Sequence, residues 1–277
     1  MRKARYIKEI IRAVFIILAV IAIIGPIYWT VVTSLKDRVE IGLWPPTFWP
    51  RNPTDIWWRT VLFERINLPV YRNSFIIAIC ASLLAVVLGL PASYACARWS
   101  FKGRMDLLFM ILTFRFLPQA CVVLPIYMMA RILNLLDTMP LIVCLYAAMN
   151  LPIFIWVIMS YIKEIPVELE ESYMIDGHSR AAAFFRVILP LIRPGLIAIT
   201  LLMVSLSFGE FLFAALLTQS GAAKTIPVVI SEYLGGELGY EWGKVATLTL
   251  YSFIPLVLIF VAIRKHLVRG LTFGVVR

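Results

Sequence analysis

Six stretches of 19 to 24 residues, 13–35, 75–97, 107–130, 139–162, 195–218 and 245–263, contain no charged residue apart from Arg115 in the third and Glu210 in the fifth. At about 1.5 Å of rise per residue, a helix of this length covers a hydrocarbon core of roughly 30 Å. Backbone groups in lipid find no water, so each stretch has to close its own hydrogen bonds and is expected to be a helix. The rest of the composition agrees. The chain is 61% apolar and 15% charged, with a mean hydropathy of +0.89. Soluble chains average about 45–50% and about 25%. Folded in water, this one would expose more apolar surface than soluble proteins carry.

The fold class is therefore all-α and polytopic, with six membrane helices in one domain, 1–277. Six spans and their loops leave no room for a separate soluble catalytic domain. Pro26, Pro91, Pro118, Pro125, Pro152 and Pro255 fall inside spans and are expected to kink them. The N-terminal basic residues and apolar run have the outline of a signal peptide. The run is too long, however, and Gly25-Pro26 offers no small-residue cleavage site, so it is read as the first span.

A formal charge of +10 could point to nucleic acid, but no basic stripe interleaved with aromatics stands apart from the spans. Excess Lys and Arg in a membrane chain instead marks cytoplasmic loops. With the N-terminus inside, 16 basic residues face the cytoplasm: Arg2, Lys3, Arg5, Lys8 and Arg12; Arg98, Lys102 and Arg104; Lys163, Arg180, Arg186 and Arg193; Arg264, Lys265, Arg269 and Arg277. The opposite side receives nine. Both termini are thus expected on the cytoplasmic side, with lipid around the spans. Cys80, Cys96, Cys121 and Cys144 lie in apolar runs without a C-x-x-C pair and read as small buried hydrophobes. His178 and His266 are too few and too distant for a metal site, so no metal or cofactor is expected on this chain.

Two loops depart from simple connections. The one after the first span contains Leu43-Trp44-Pro45-Pro46-Thr47-Phe48-Trp49-Pro50 and Trp57-Trp58, half of the eight tryptophans. Trp favours the headgroup interface and repeated proline prevents a regular helix, so an ordered outer cap is expected. It serves either as an interfacial anchor or for docking a partner. The loop 163–194 is far longer than most helix–helix connections. Pro166 suits the start of a short helix with Glu168, Glu170 and Glu171 in its first turns. Asp176-Gly177 ends it, Ser179 caps a second helix from Arg180, and Pro190 and Pro194 close that one. The result is a helix–break–helix knob.

Glu171-Ser-Tyr-Met-Ile-Asp176-Gly177 followed by Ile188-Leu189-Pro190 resembles the E-A-A-x-x-D-G…I-x-L-P loop of binding-protein-dependent ABC importer permeases, with Ser172-Tyr173 where Ala-Ala is usual. Further fragments look like the carbohydrate branch: Tyr71-Arg-Asn73-Ser74-Phe, Ala95-Cys-Ala97-Arg98, Pro125-Ile-Tyr, Leu135-Leu-Asp137-Thr138 and Gly209-Glu210-Phe211. The tail Arg269-Gly270-Leu271-Thr272 is similar to the MalG-like half of the permease pair. The resemblance implies a type I, MetI-like permease fold with a cytoplasmic coupling helix. It also implies a second homologous permease subunit, two ATPase subunits that bind ATP and Mg, an extracytoplasmic solute-binding protein, and a sugar or sugar-like solute moved by alternating access. Glu168, Glu171, Ser172, Tyr173, Asp176, Gly177 and Arg180 would then dock on the ATPase.

This chain contains no G-x-x-x-x-G-K-[ST] loop and so cannot hold ATP in the P-loop manner; no catalytic residue is expected. Candidate solute-path residues are Arg115, Gln119, Tyr146, Asn150, Ser205, Ser207 and Glu210. Charges within spans should face a bundle interior or water, and Arg115 and Glu210 are candidates to pair or to brace the spans. Ser and Asn within spans also commonly join helices to one another. Two other readings stay open at this point. One is a secondary active transporter, which needs inward acidic relays and often internal repeats; the other is an ABC permease for a non-carbohydrate solute.

Overall fold

The computed structural model describes the backbone of residues 2–63, 67–235 and 241–272, and the side chains of 8–63, 68–235, 241–254, 256–258 and 260–261. Arg2, Lys3, Arg5, Arg264, Lys265, Arg269 and Arg277, all used in the orientation count, have side chains outside those residues, as does the Arg269–Thr272 tail. Among the described residues thirteen α-helices follow in order: α1 Arg2–Ser34, α2 Arg38–Ile41, α3 Ile56–Phe63, α4 Asn67–Arg98, α5 Arg104–Phe116, α6 Gln119–Ile132, α7 Met139–Glu164, α8 Glu168–Ile175, α9 Arg180–Ala183, α10 Leu189–Phe208, α11 Leu212–Leu217, α12 Ile226–Glu232 and α13 Trp242–Thr272. No strand occurs among the described residues. The chain divides into two compact units, Met1–Leu68 with Val229–Ile254 and Pro69–Val228 with Pro255–Arg277.

In the first unit α1 presents Phe15, Ile17, Leu18, Ile21 and Ile23 on its exposed surface, the side chains lipid accepts without cost. The loop that follows is an ordered cap, as expected, and Glu40 is its hub. The Glu40 carboxylate accepts from the Thr47 hydroxyl at 2.6 Å and from the Arg51 N–H at 3.0 and 3.2 Å. The Thr47 bond, with help from the Arg51 N–H and the charges of Lys36 and Arg51, holds the Glu40 carboxyl below its usual range against the opposing effect of burial. Lys36 donates to the Thr47 carbonyl and lies 4.7 Å from the Trp29 ring centroid. The Trp57 indole donates to the Lys36 carbonyl at 2.6 Å. Gly243 at the start of α13 lies so close to the Trp57 ring that a Cβ there would overlap it.

In the second unit α4, α7 and α10 enclose the core, with Ile77, Ala81, Ala85, Phe154, Ile158, Ile188, Ile192 and Met203 fully or almost fully buried. Gly89 lets α4 approach the Phe154 ring of α7, and Gly195 lets α10 lie on the Tyr161 ring, where a Cβ would sit 2.7 Å from it. Cys96 is buried, whereas Cys80, Cys121 and Cys144 are exposed, contrary to their expected burial.

Among the described residues four helices are long and apolar enough to cross a membrane: Lys8–Ser34, Leu68–Arg98, Met139–Glu164 and Arg180–Phe208. Three of them coincide with the expected spans 13–35, 75–97 and 139–162, and the other three expectations change. The third stretch, 107–130, is not one helix. It breaks at Leu117-Pro118 into α5 and α6, which lie at 92° to each other. Leu117 has ψ 127°, the extended conformation that the ring of a following proline imposes. The sixth stretch lies within α13, whose described apolar part is Trp242–Leu258.

The fifth stretch also differs from expectation. Its helix ends at Phe208, and α11 starts only after Gly209-Glu210-Phe211. Upstream, Pro190 and Pro194 do not close the short helix; 180–208 runs on as one. A π-turn at Phe184–Ile188, with the Leu189 N–H reaching the Phe184 carbonyl, widens the coil ahead of Pro190 and makes room for its ring.

Candidate functional site

Two regions of the second unit gather the polar residues singled out in the sequence. The first is a cavity of about 410 Å³ lined by Arg115, Gln119, Tyr146, Met149, Asn150, Ser207 and Glu210 with Leu206, Gly209, Phe211 and Leu212. The break at Leu117-Pro118 places Arg115 and Gln119 at its edge, and the break after Phe208 turns Glu210 into it. Six of the seven residues expected on the solute path therefore meet here. Ser205 does not line the cavity; it is exposed on α10.

Within the cavity the roles divide. The Glu210 carboxylate accepts from the buried Tyr146 hydroxyl at 2.5 Å and from the Phe213 and Ala214 N–H groups at 3.0 and 3.4 Å. It thus caps α11 and ties it to α7. The Asn150 amide donates to the Ser207 hydroxyl at 2.8 Å and ties α7 to α10. These four polar residues join helices. Arg115 and Glu210 form no ion pair in this structure; the carboxylate is held instead by the Tyr146 hydroxyl and two backbone N–H groups. The Arg115 guanidinium makes one long bond, 3.4 Å to the Met149 carbonyl. The Gln119 amide reaches only the Met149 sulfur, at 4.0 Å. Arg115 and Gln119 are the donors the cavity leaves open.

The second region is the hairpin between α7 and α10. Helix α8 ends at Asp176, and Gly177 takes φ +89°, the left-handed conformation in which an L side chain is strained. The Ser179 hydroxyl accepts from the Ala182 N–H at 3.2 Å and caps α9, as its position predicts. Pro166 precedes α8 and lies outside the helix it was expected to begin. The Tyr173 ring stacks on His178 at 4.3 Å across the glycine break, so the large ring in the usual Ala-Ala position has a partner. Glu168, Glu171, Ser172, Asp176, Gly177 and Arg180 are exposed, and Ile175 is 85% exposed.

A profile of the family described as "binding-protein-dependent transport system inner membrane component" matches residues 85–273. The chain belongs to this family. It is a permease subunit, a membrane-embedded transport component and not an enzyme. The permease is 32% identical to the trehalose/maltose transport system permease protein MalG of Thermococcus litoralis, over 98% of both chains. It is also 32% identical to the trehalose transport system permease protein SugB of Mycobacterium tuberculosis, over 91% of this chain and 92% of that one. Among solved structures it shares its fold with a bacterial ABC transporter involved in the import of the acidic polysaccharide alginate, at 20% identity and a TM-score of 0.79 over 95% of this chain and 97% of that one.

The permease also uses residues whose roles the sequence did not disclose. The Asn73 amide donates to the carbonyls of Gly221 and Ala222, both at 3.1 Å, and of Lys224 at 3.3 Å. The Asp137 carboxylate accepts from the Gln219 and Ser220 N–H groups at 3.2 and 3.1 Å. Together they brace the loop after α11. Both lie in fragments that resemble the family; their partners, some 80 to 150 residues away in the chain, are defined only by the fold. Among the described residues no cluster of three or more His, Cys, Asp or Glu could hold a metal ion.

Proposed function

We propose that this permease is the MalG-like member of a permease pair in an ATP-driven importer for a sugar or sugar-like solute. Two ATPase subunits on the cytoplasmic face bind ATP and Mg, and an extracytoplasmic binding protein delivers the solute. The observation that carries this reading is the exposed, glycine-broken α8–α9 hairpin between two long membrane helices. Glu168, Glu171, Ser172, Tyr173, Asp176, Gly177 and Arg180 dock it on an ATPase subunit. Closure of the ATPases on ATP then shifts the helices between inward- and outward-open states, a rigid-body transition between two arrangements. The excess of Lys and Arg on the hairpin side supports an orientation with both termini in the cytoplasm. Transport systems for trehalose, maltose and diacetylchitobiose among the relatives support the solute class. A crystal structure of the alginate transporter with a pentasaccharide-bound periplasmic protein supports the assembly. The cavity at the α5–α6 corner is the solute path, and Arg115 and Gln119 offer donors to hydroxyl or acidic oxygens of the solute.

The test is co-purification with the proteins encoded beside it, followed by ATP hydrolysis and uptake measurements in proteoliposomes. Solute-loaded binding protein is expected to stimulate hydrolysis and to drive uptake only with ATP. Uptake by the purified chain alone, without nucleotide or companions, overturns the reading.

A further inference from the structure

Two adjacent carboxylates on α8 lie in different surroundings. Glu171 is exposed, whereas Glu170, about 100° around the helix, is buried against the end of α4. Arg98, the last residue of α4, pairs through Nε with one Glu170 oxygen; the two side chains are 5% and 3% exposed. Tyr94, one turn earlier on α4, donates its hydroxyl to the other oxygen at 2.5 Å. Arg98 also donates through Nη2 to the Ile165 carbonyl at the end of α7, at 3.0 Å. The second limb of the hairpin grips the same place. The Arg180 guanidinium lies 5.4 Å from the Trp99 ring, and the Phe184 ring packs against Tyr94 at 4.8 Å.

We propose that Glu170, Arg98 and Tyr94 form a strut through which movement of the α8 hairpin displaces α4, in addition to the two helices that the hairpin connects. This rests on the proposed docking of the hairpin on an ATPase. The chemistry makes the strut stiff. Both carboxylate oxygens are held from successive turns of one helix, and the planar guanidinium sets their orientation. Parting α8 from α4 would leave an uncompensated buried charge, which strongly disfavours any state in which the two move separately. Glu170 is a positioning residue: it acts on the solute path through α4, while the exposed face of α8 stays free for the ATPase.

The experiment uses the complete importer in proteoliposomes and reads solute taken up per ATP hydrolysed, in complexes matched for assembly and melting temperature. Glu170→Gln is expected to lower that ratio about two- to thirtyfold, the range observed for coupling residues remote from a ligand, while hydrolysis persists. Tyr94→Phe, which spares the ion pair, is expected to give a smaller fall in the same ratio and serves if Glu170→Gln does not assemble. The double variant Arg98→Met with Glu170→Met, which leaves no buried charge unpaired, is expected to lie closer to the unmodified protein than Glu170→Gln does. An unchanged ratio in assembled Glu170→Gln or Tyr94→Phe complexes overturns the strut, as does a double variant with a ratio no higher than that of Glu170→Gln. Absence of ATP-driven uptake by the unmodified complex would instead remove the proposed function itself.

Discussion

The Tyr146 hydroxyl donates to the Glu210 carboxylate at 2.5 Å, joining α7 to the break that separates α10 from α11. Glu210 therefore has its charge satisfied by an uncharged neighbour and two backbone N–H groups. Tyr146→Phe removes the hydroxyl and keeps the ring, leaving a partly buried carboxylate one donor short, at a cost of about 1–3 kcal/mol. The expected outcome is a lower melting temperature of the detergent-solubilised complex, together with weaker uptake. An unchanged melting temperature would remove the structural role assigned to this bond.

Arg115 predicts the opposite pattern. Its guanidinium is exposed to the cavity with one long hydrogen bond, so little of the fold depends on it. Arg115→Met is expected to change stability by no more than about 0.5 kcal/mol. If it donates to the solute, its loss should reduce uptake roughly 10- to 100-fold, the equivalent of a hydrogen bond involving a charged group. Exchanging the charges, Arg115→Glu with Glu210→Arg, should restore nothing, because the two residues are not partners. Recovery of uptake in the exchanged protein would show that they pair during the transport cycle.

Gly177 sits at φ +89° with open space where a Cβ would stand, so the difficulty with a larger residue lies in the backbone alone. Gly177→Val is expected to cost about 1–2 kcal/mol locally through the left-handed conformation and to tilt α8 relative to α9. Hydrolysis should continue while uptake per ATP falls. Uptake equal to that of the unmodified protein would count against the hairpin as the driven element.

How far the sequence discloses these features depends on the distance between interacting residues along the chain. Three long helices, the glycine break and the Ser179 cap follow from hydropathy and local turn chemistry. So does the presence of a cap after α1, though not its hub at Glu40. A kink at Pro118 is expected, but the full 92° break there and the break at Gly209–Phe211 escape notice because both interrupt apolar runs of spanning length, and hydropathy does not register bend angle. The continuity through Pro190 escapes because it depends on a π-turn upstream. Arg98–Glu170 and Tyr146–Glu210 join residues 72 and 64 positions apart, beyond the reach of any local pattern.

The cap after α1 carries a pH dependence of definite sign. The Glu40 carboxyl is held below its usual range, chiefly by the Thr47 hydroxyl. Its contribution is therefore complete above the ordinary carboxylate pKa and lost as pH falls through the depressed value. Trp44, Trp49, Trp57 and Trp58 lie in the same segment, so intrinsic fluorescence should report loosening below about pH 4, the unperturbed range for a glutamate. Glu40→Gln should abolish that transition. A transition of equal size and midpoint in the variant would assign it to another group.

The right-angle corner at Leu117-Pro118 divides the open donors between two levers. Arg115 rides on α5 and Gln119 begins α6, and with the axes at 92° a slide along one helix hardly advances the other. A ligand bridging the guanidinium and the amide would therefore rest on two helices whose axes meet at a right angle, and a shift of either along its own axis would lengthen that bridge.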